Sequence, residues 1–131
     1  MRHGSAVEHM VAELRERGTL VAVDDIGAGY SGLGQLAALR PAYLKLDRGL
    51  VRDIDTDPAR GSLVRMLVDY ARSTGGLLVA EGVETAAELA EVRLARAPLV
   101  QGYLLGRPGK PWPEVAVGPL ARTGRPVAEP A

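Results

Sequence analysis

Six acidic or amide side chains and one lysine recur at comparable points along this 131-residue chain: Asp24-Asp25, Lys45 and Asp47, Glu81 and Glu84, and Gln101. Two adjacent carboxylates repel each other, and a divalent cation relieves that repulsion. A ligand set made only of oxygens suits magnesium, manganese or calcium better than zinc. Two such metals would activate water and stabilise both oxygens of a phosphoryl displacement. A lysine in that setting can orient the water or neutralise developing charge, and Glu81 could accept a proton.

Such chemistry needs a scaffold that brings distant residues together. Val7, Met10, Val11 and Leu14 fall on one helical face within Ala6–Arg17, and Gly18 can end that helix. The apolar run Thr19–Asp24 reads as a strand buried on both faces, typical of a parallel sheet. A glycine-rich loop, Asp25–Gly29, leads to a short helix over Ser31–Leu39 that Pro41 stops. The cycle repeats with a strand at Ala42–Asp47 and a helix opened by Asp57-Pro58, with Leu63, Met66, Leu67 and Tyr70 on its inner face. A strand at Leu77–Glu81, a helix over Ala86–Ala95 introduced by the capping-box pair Thr85 and Glu88, and a strand at Leu99–Leu105 complete it. Alternating strands and helices predict βαβ units and a parallel sheet. In such folds ligands bind at the carboxyl ends of the strands, where the polar set falls. Lys45, in mid-strand on the face shared with Tyr43 and Asp47, needs carboxylates or a ligand around it.

Composition narrows the function classes. Sixteen basic and sixteen acidic residues cancel to a formal charge of zero, which argues against a nucleic-acid polymer or an anionic membrane as partner. The absence of cysteine excludes disulfides and thiolate metal sites. Both histidines, His3 and His9, sit near the N-terminus, away from the strand ends. No apolar run approaches the ~20 residues of a membrane helix, and the first residues are charged where a signal peptide is apolar. A soluble cytoplasmic protein is the expectation. Six prolines punctuate the chain beyond Leu105, and residues 109–131 read as a Pro-rich C-terminal tail.

Two other readings compete. Gly27-Ala28-Gly29-Tyr30-Ser31-Gly32 satisfies the G-x-G-x-x-G dinucleotide fingerprint, with Asp47 twenty residues after Gly27. Against it, Asp24 and Asp25 would repel a pyrophosphate, the following helix is short, and Lys45, Glu81 and Gln101 are left without a role. The third reading is a non-catalytic nucleotide-binding or protein-interaction module.

The same residues resemble the EAL domain, the family of cyclic di-GMP phosphodiesterases. DDIGAGYSGL at Asp24–Leu33 is similar to the family's DDFGTGYSSL, and LKLDRGLV at Leu44–Val51 to its LKIDRSFV. VAEGVET at Val79–Thr85 and QGYLLGRP at Gln101–Pro108 match nearly letter for letter. The resemblance places a truncated EAL domain over residues 1–108. It implies a partial (β/α)8 TIM-type barrel of about four βα units, and a pocket that opens one phosphodiester of cyclic di-GMP to give pGpG. It further implies Asp24 and Asp25 as ligands of Mg2+ or Mn2+, and Lys45 as a contact of the catalytic water or of the metals' surroundings. Asp47 would support that lysine, Glu81 would activate water or back the metals, and Glu84 and Gln101 would line the pocket. The glycine loop becomes the loop that follows the aspartate pair. Ile26 and Ala28 stand where the family has phenylalanine and threonine. A complete barrel takes about 250 residues and eight strands. The Glu-Ala-Leu motif that names the family, with its asparagine and further glutamate on earlier strands, is not in this sequence. The chain is therefore expected to be inactive alone, with a dimer or partner chain covering the open half barrel.

Overall fold

The computed structural model describes residues 3–29 and 33–109, with side chains from Ala6 onward. Tyr30, Ser31 and Gly32 of the glycine motif, and residues 110–131 of the Pro-rich tail, lie outside the described residues. The order is α1 (His3–Glu16), β1 (Ala22–Ile26), α2 (Leu33–Leu39), β2 (Tyr43–Leu46), α3 (Arg48–Val51), α4 (Pro58–Ser73), β3 (Leu77–Ala80), α5 (Ala86–Leu94) and β4 (Leu99–Val100). The four strands form one parallel sheet in the order β1-β2-β3-β4, so each βα unit places its strand beside the last. This is the αβ architecture that the alternating pattern predicts.

Local signals account for several boundaries. Asp57 caps α4 by accepting from the Ala59 amide, and Pro58 occupies the first turn where a missing N–H costs nothing. Thr85 and Glu88 close a reciprocal capping box on α5, in which Thr85 Oγ1 accepts from Glu88 N and Glu88 Oε1 from Thr85 N. Gly18 ends α1 in the left-handed region, at φ 82°.

Among the described residues the sheet is covered on one face only. Leu44 and Leu46 of β2 and Leu78 and Ala80 of β3 are fully buried, packed in one cluster with Val64, Leu67 and Val68 of α4 and Leu89 and Val92 of α5. The opposite face, in register across the strands, carries Ala22 and Asp24, Tyr43 and Lys45, Leu77 and Val79, and Leu99. Leu77 is 43% exposed there. Among the described residues β1 and β4 each have one paired neighbour, so both outer edges of the sheet are open. No described helix is long and apolar enough to cross a membrane.

Five sequence expectations need correction. The first strand is Ala22–Ile26 rather than Thr19–Asp24, because the chain around the exposed Leu20 has no strand partner, whereas the two aspartates lie inside the ladder. The expected burial of that strand on both faces fails as well, since the sheet is covered on one side. The buried stripe of α4 runs through Gly61, Val64, Leu67, Val68 and Ala71, while Met66 is 56% exposed and Leu63 and Tyr70 only border the core. Of the apolar face of α1 only Val11 is buried. The last strand ends at Val100, because Gly102 bends the chain into a turn closed by Leu105 N–H donating to Gly102 O at 3.1 Å.

The covered face and the open face should respond differently to truncation. Leu78→Ala is expected to lower unfolding stability by about 2–5 kcal/mol, while its neighbour Leu77→Ala changes it by less than about 1 kcal/mol. Urea denaturation followed by circular dichroism checks the contrast, and equal losses would refute the one-sided core.

Candidate metal centre and adjoining pocket

Adjacent strand residues normally point to opposite faces, so Asp24 and Asp25 should not meet one ligand. In β1 they do. The register to β2 shifts between Val23 and Ile26, and Asp25 adopts φ 55°. That bulge turns both carboxylates toward the end of β3. One carboxylate oxygen each from Asp24, Asp25 and Glu81 lie within 4.8 Å of one another. Aspartate tolerates the left-handed conformation better than most residues, and the Asp25 amide donates to Asp24 Oδ1 at 2.8 Å.

Lys45 sits against this cluster from β2. Its Nζ lies 2.8 Å from Glu81 Oε1 and 3.4 Å from Asp24 Oδ2, with the side chain 30% exposed. The lysine is thus half-buried on the open sheet face rather than enclosed in the core, and two carboxylates partner it as the sequence requires. The bond to Glu81, reinforced by the charges of Glu81 and Asp24, raises the Lys45 pKa above 10.5 against the opposing effect of desolvation. The Asp24 carboxyl is held below 3.8, chiefly by the Asp25 amide and then by the Lys45 ammonium. The donor chemistry fits a divalent cation, being three hard oxygens with formal charge to spare.

The other candidates fall elsewhere. Asp47 caps α3, accepting from Gly49 N at 2.8 Å, and the ion pairs that hold Lys45 come from Asp24 and Glu81. Glu84 and Gln101 line a pocket of about 520 Å3 beside the cluster, and Glu81 is common to both. Sequence reasoning passed over Arg48, Tyr103 and Arg107, which line the same pocket. All three stand inside the motifs already noted; Arg48 and Tyr103 lie one and two residues beyond Asp47 and Gln101, and that proximity was the available signal, while Arg107 lies six residues beyond Gln101.

Residues 1–108 match the EAL domain family. The chain belongs to that family. A cyclic di-GMP phosphodiesterase of Pseudomonas aeruginosa, NbdA, is 38% identical over 99 residues, covering 76% of this chain and 13% of the relative. The cyclic di-GMP phosphodiesterase PdeR of Escherichia coli K12 is 39% identical over 107 residues, covering 82% of this chain and 16% of PdeR. Among solved structures, a standalone versatile EAL protein from Vibrio cholerae O395 in its c-di-GMP bound form superposes with a TM-score of 0.77 at 34% identity, covering 83% of this chain and 46% of that one. The manganese/cy-diGMP complex of BlrP1 from Klebsiella pneumoniae gives a TM-score of 0.73 at 38% identity, with coverage of 78% and 26%. The chain thus spans about an eighth to a quarter of the length of these and similar curated relatives, and its four-stranded sheet corresponds to part of an EAL barrel. The glycine motif at Gly27–Gly32 lies inside the matched residues. The acid that a dinucleotide fingerprint would put on a ribose, Asp47, is engaged on Gly49 instead.

The electrostatics of the EAL cluster set a pH test. Because the Asp24 pKa is depressed, the stability it contributes is present above the ordinary aspartate value of 3.8 and is lost as pH falls through its own lower value. In a carbon-detected NMR titration Asp24 should titrate below 3.8. Lys45→Met should shift its midpoint upward by removing the ammonium, while the Asp25 amide bond preserves part of the depression. An unchanged midpoint would mean that the ion pair does not form.

Proposed function

We propose that this chain carries the second-half site of a cyclic di-GMP phosphodiesterase, opening one phosphodiester to pGpG chemistry when the rest of the barrel is present. The observation that carries this reading is the convergence of Asp24, Asp25 and Glu81 around Lys45 at the carboxyl ends of three neighbouring strands. Asp24, Asp25 and Glu81 would hold the divalent cation, Mg2+ or Mn2+. That cation would supply charge neutralisation and a more acidic water. Lys45, with its pKa raised, stays an ammonium. Its part is therefore electrostatic: it orients the attacking water and offsets charge developing on the phosphoryl oxygens. Glu81 is the proton acceptor, Asp47 supports the strand end that carries Lys45 by capping α3, and Glu84 and Gln101 contact the nucleotide.

The functional domain in this reading is residues 1–108, followed by a Pro-rich tail at 109–131. The 131 residues by themselves do not turn over substrate. Three carboxylates make a sparse ligand set for a hard cation that takes six or more oxygens, and the open face, with both sheet edges unpaired among the described residues, calls for further strands from a partner chain or a second copy.

The test is hydrolysis of cyclic di-GMP with manganese, read as pGpG by anion-exchange chromatography. The isolated chain should give no turnover. Mixing it with a polypeptide carrying the first half of an EAL barrel should restore turnover, and Lys45→Ala or Asp24→Asn should then reduce it by about 100-fold or more. Robust turnover by the isolated chain would overturn the incompleteness, and restored turnover indifferent to both substitutions would overturn the site.

A further inference from the structure

The amino ends of the strands, opposite the carboxylate cluster, carry a second cavity. Its volume is about 100 Å3, and it lies between the ends of α4 and α5 and the starts of β3 and β4. Val68, Ala71 and Leu78 form its buried apolar wall, which Leu77 and Pro98 continue to the surface. Gly76 fits that wall tightly to the neighbouring strand, since a Cβ there would lie 2.6 Å from Pro41 O. The two charged residues of the lining are Arg72, in the last turn of α4, and Arg96, just beyond α5. Both are exposed.

An arginine near a helix C-terminus ordinarily serves the carbonyls of the last turn. Arg15 does so, donating to Leu39 O and Arg40 O at the end of α2. Arg72 and Arg96 have no such duty, because backbone amides already take the carbonyls around them. Gly76 N–H donates to Ala71 O at 2.8 Å and Gly75 N–H to Arg72 O at 3.2 Å. On α5, Ala95 N–H donates to Glu91 O at 2.9 Å and Ala97 N–H to Val92 O at 3.2 Å. Asp69 and Glu91, the acids nearest in sequence, pair with neither arginine. Arg96 stands at φ 63°, in the left-handed region that glycine enters at least cost, so the backbone gains nothing from an arginine there. Two guanidinium groups without a partner among the described residues thus line one apolar hollow.

Each guanidinium is a fork that matches a carboxylate, and a dry hollow of this size takes one aliphatic side chain. The lining holds no aromatic ring on which a base could stack, which disfavours nucleic acid. We propose that this cavity docks a short acidic segment of a protein partner, with one aliphatic side chain in the hollow and a carboxylate on each side of it meeting Arg72 and Arg96. The site lies at the opposite end of the sheet from the cation cluster and does not depend on the phosphodiesterase reading.

The test titrates the isotope-labelled 131-residue chain with the end-capped peptide Glu-Gly-Leu-Gly-Glu while following backbone amide shifts. Residues two apart in an extended peptide point the same way, so both glutamates flank the leucine. The Gly76, Leu77, Arg96 and Ala97 amides should move, with an affinity about tenfold above that of Gln-Gly-Leu-Gly-Gln. Alanine in place of the peptide's leucine should weaken binding about fivefold. Arg72→Gln and Arg96→Gln should each weaken it about threefold, and the double variant should bind both peptides within about twofold of each other, with amide dispersion retained. Equal affinities for the two peptides in the unmodified chain, or no shift at these amides, would overturn the proposal. A single-stranded pentanucleotide that moves the same amides more strongly than the acidic peptide would assign the arginines to phosphate and overturn it too.

Discussion

Everything at the candidate site depends on the bulge in β1. A regular strand would send Asp24 and Asp25 to opposite faces, one into the helical layer and one onto the open side. The left-handed turn at Asp25 and the shifted register deliver both to the same end of the sheet. Holding a non-glycine residue there costs about 1–3 kcal/mol. The Asp25 amide donating to Asp24 Oδ1 offsets part of that cost, and regular pairing resumes at once, with Ile26 opposite Leu46 and Asp47 N–H donating to Ile26 O at 2.9 Å. The strain is confined to two residues and anchored on both sides.

The sheet's one-sided core explains why a lysine and carboxylates can occupy strands at all. The buried residues of β2 and β3 alternate with those that face away from the helices, so Lys45 shares a strand with fully buried Leu44 and Leu46 without entering their cluster. Its ammonium keeps solvent contact and two anionic partners, which avoids the desolvation cost of an enclosed charge. The same alternation leaves Leu77 and Leu99 on the open side. The face that carries the candidate site is also the face left uncovered among the described residues.

Much of this was legible from residue pattern. Strand and helix order, the caps at Asp57 and Thr85, and the pairing of Lys45 with carboxylates all follow from local chemistry: side-chain oxygens that satisfy helix N-termini, and a charge that needs a partner. The bulge was not legible, because register is a property of two strands and the run Thr19–Asp24 carries no mark of where its neighbour begins. The inner stripe of α4 was misplaced for a related reason. Gly61 adds nothing to an apolar count, yet it lies in the buried stripe with Val64, Val68 and Ala71, while Met66 is exposed. The end of β4 is set by Gly102 lying against Val83, a contact between residues nineteen apart in the chain. Arg48 was missed because its place at the pocket depends on the bare backbone of Gly82, thirty-four residues away.

The charges of the two regions divide in a way that orients a ligand. Formally, three carboxylates and one ammonium leave the cluster of Asp24, Asp25, Glu81 and Lys45 at minus two, matched to one divalent cation. The pocket beyond Glu81 holds two guanidinium groups against the single carboxylate of Glu84, leaving plus one. A ligand that bridges them therefore finds cation chemistry at one end and hydrogen-bond donors at the other, with Glu81 at the boundary. Because the strand ends fix the first region and the joined loops after β3 and β4 fix the second, the distance between them is set by backbone rather than by flexible side chains. For the proposed phosphodiesterase function, a nucleotide bridging the two regions would have its phosphate limited to the neighbourhood of the cluster, and that restriction would be the contribution of binding to the reaction rate.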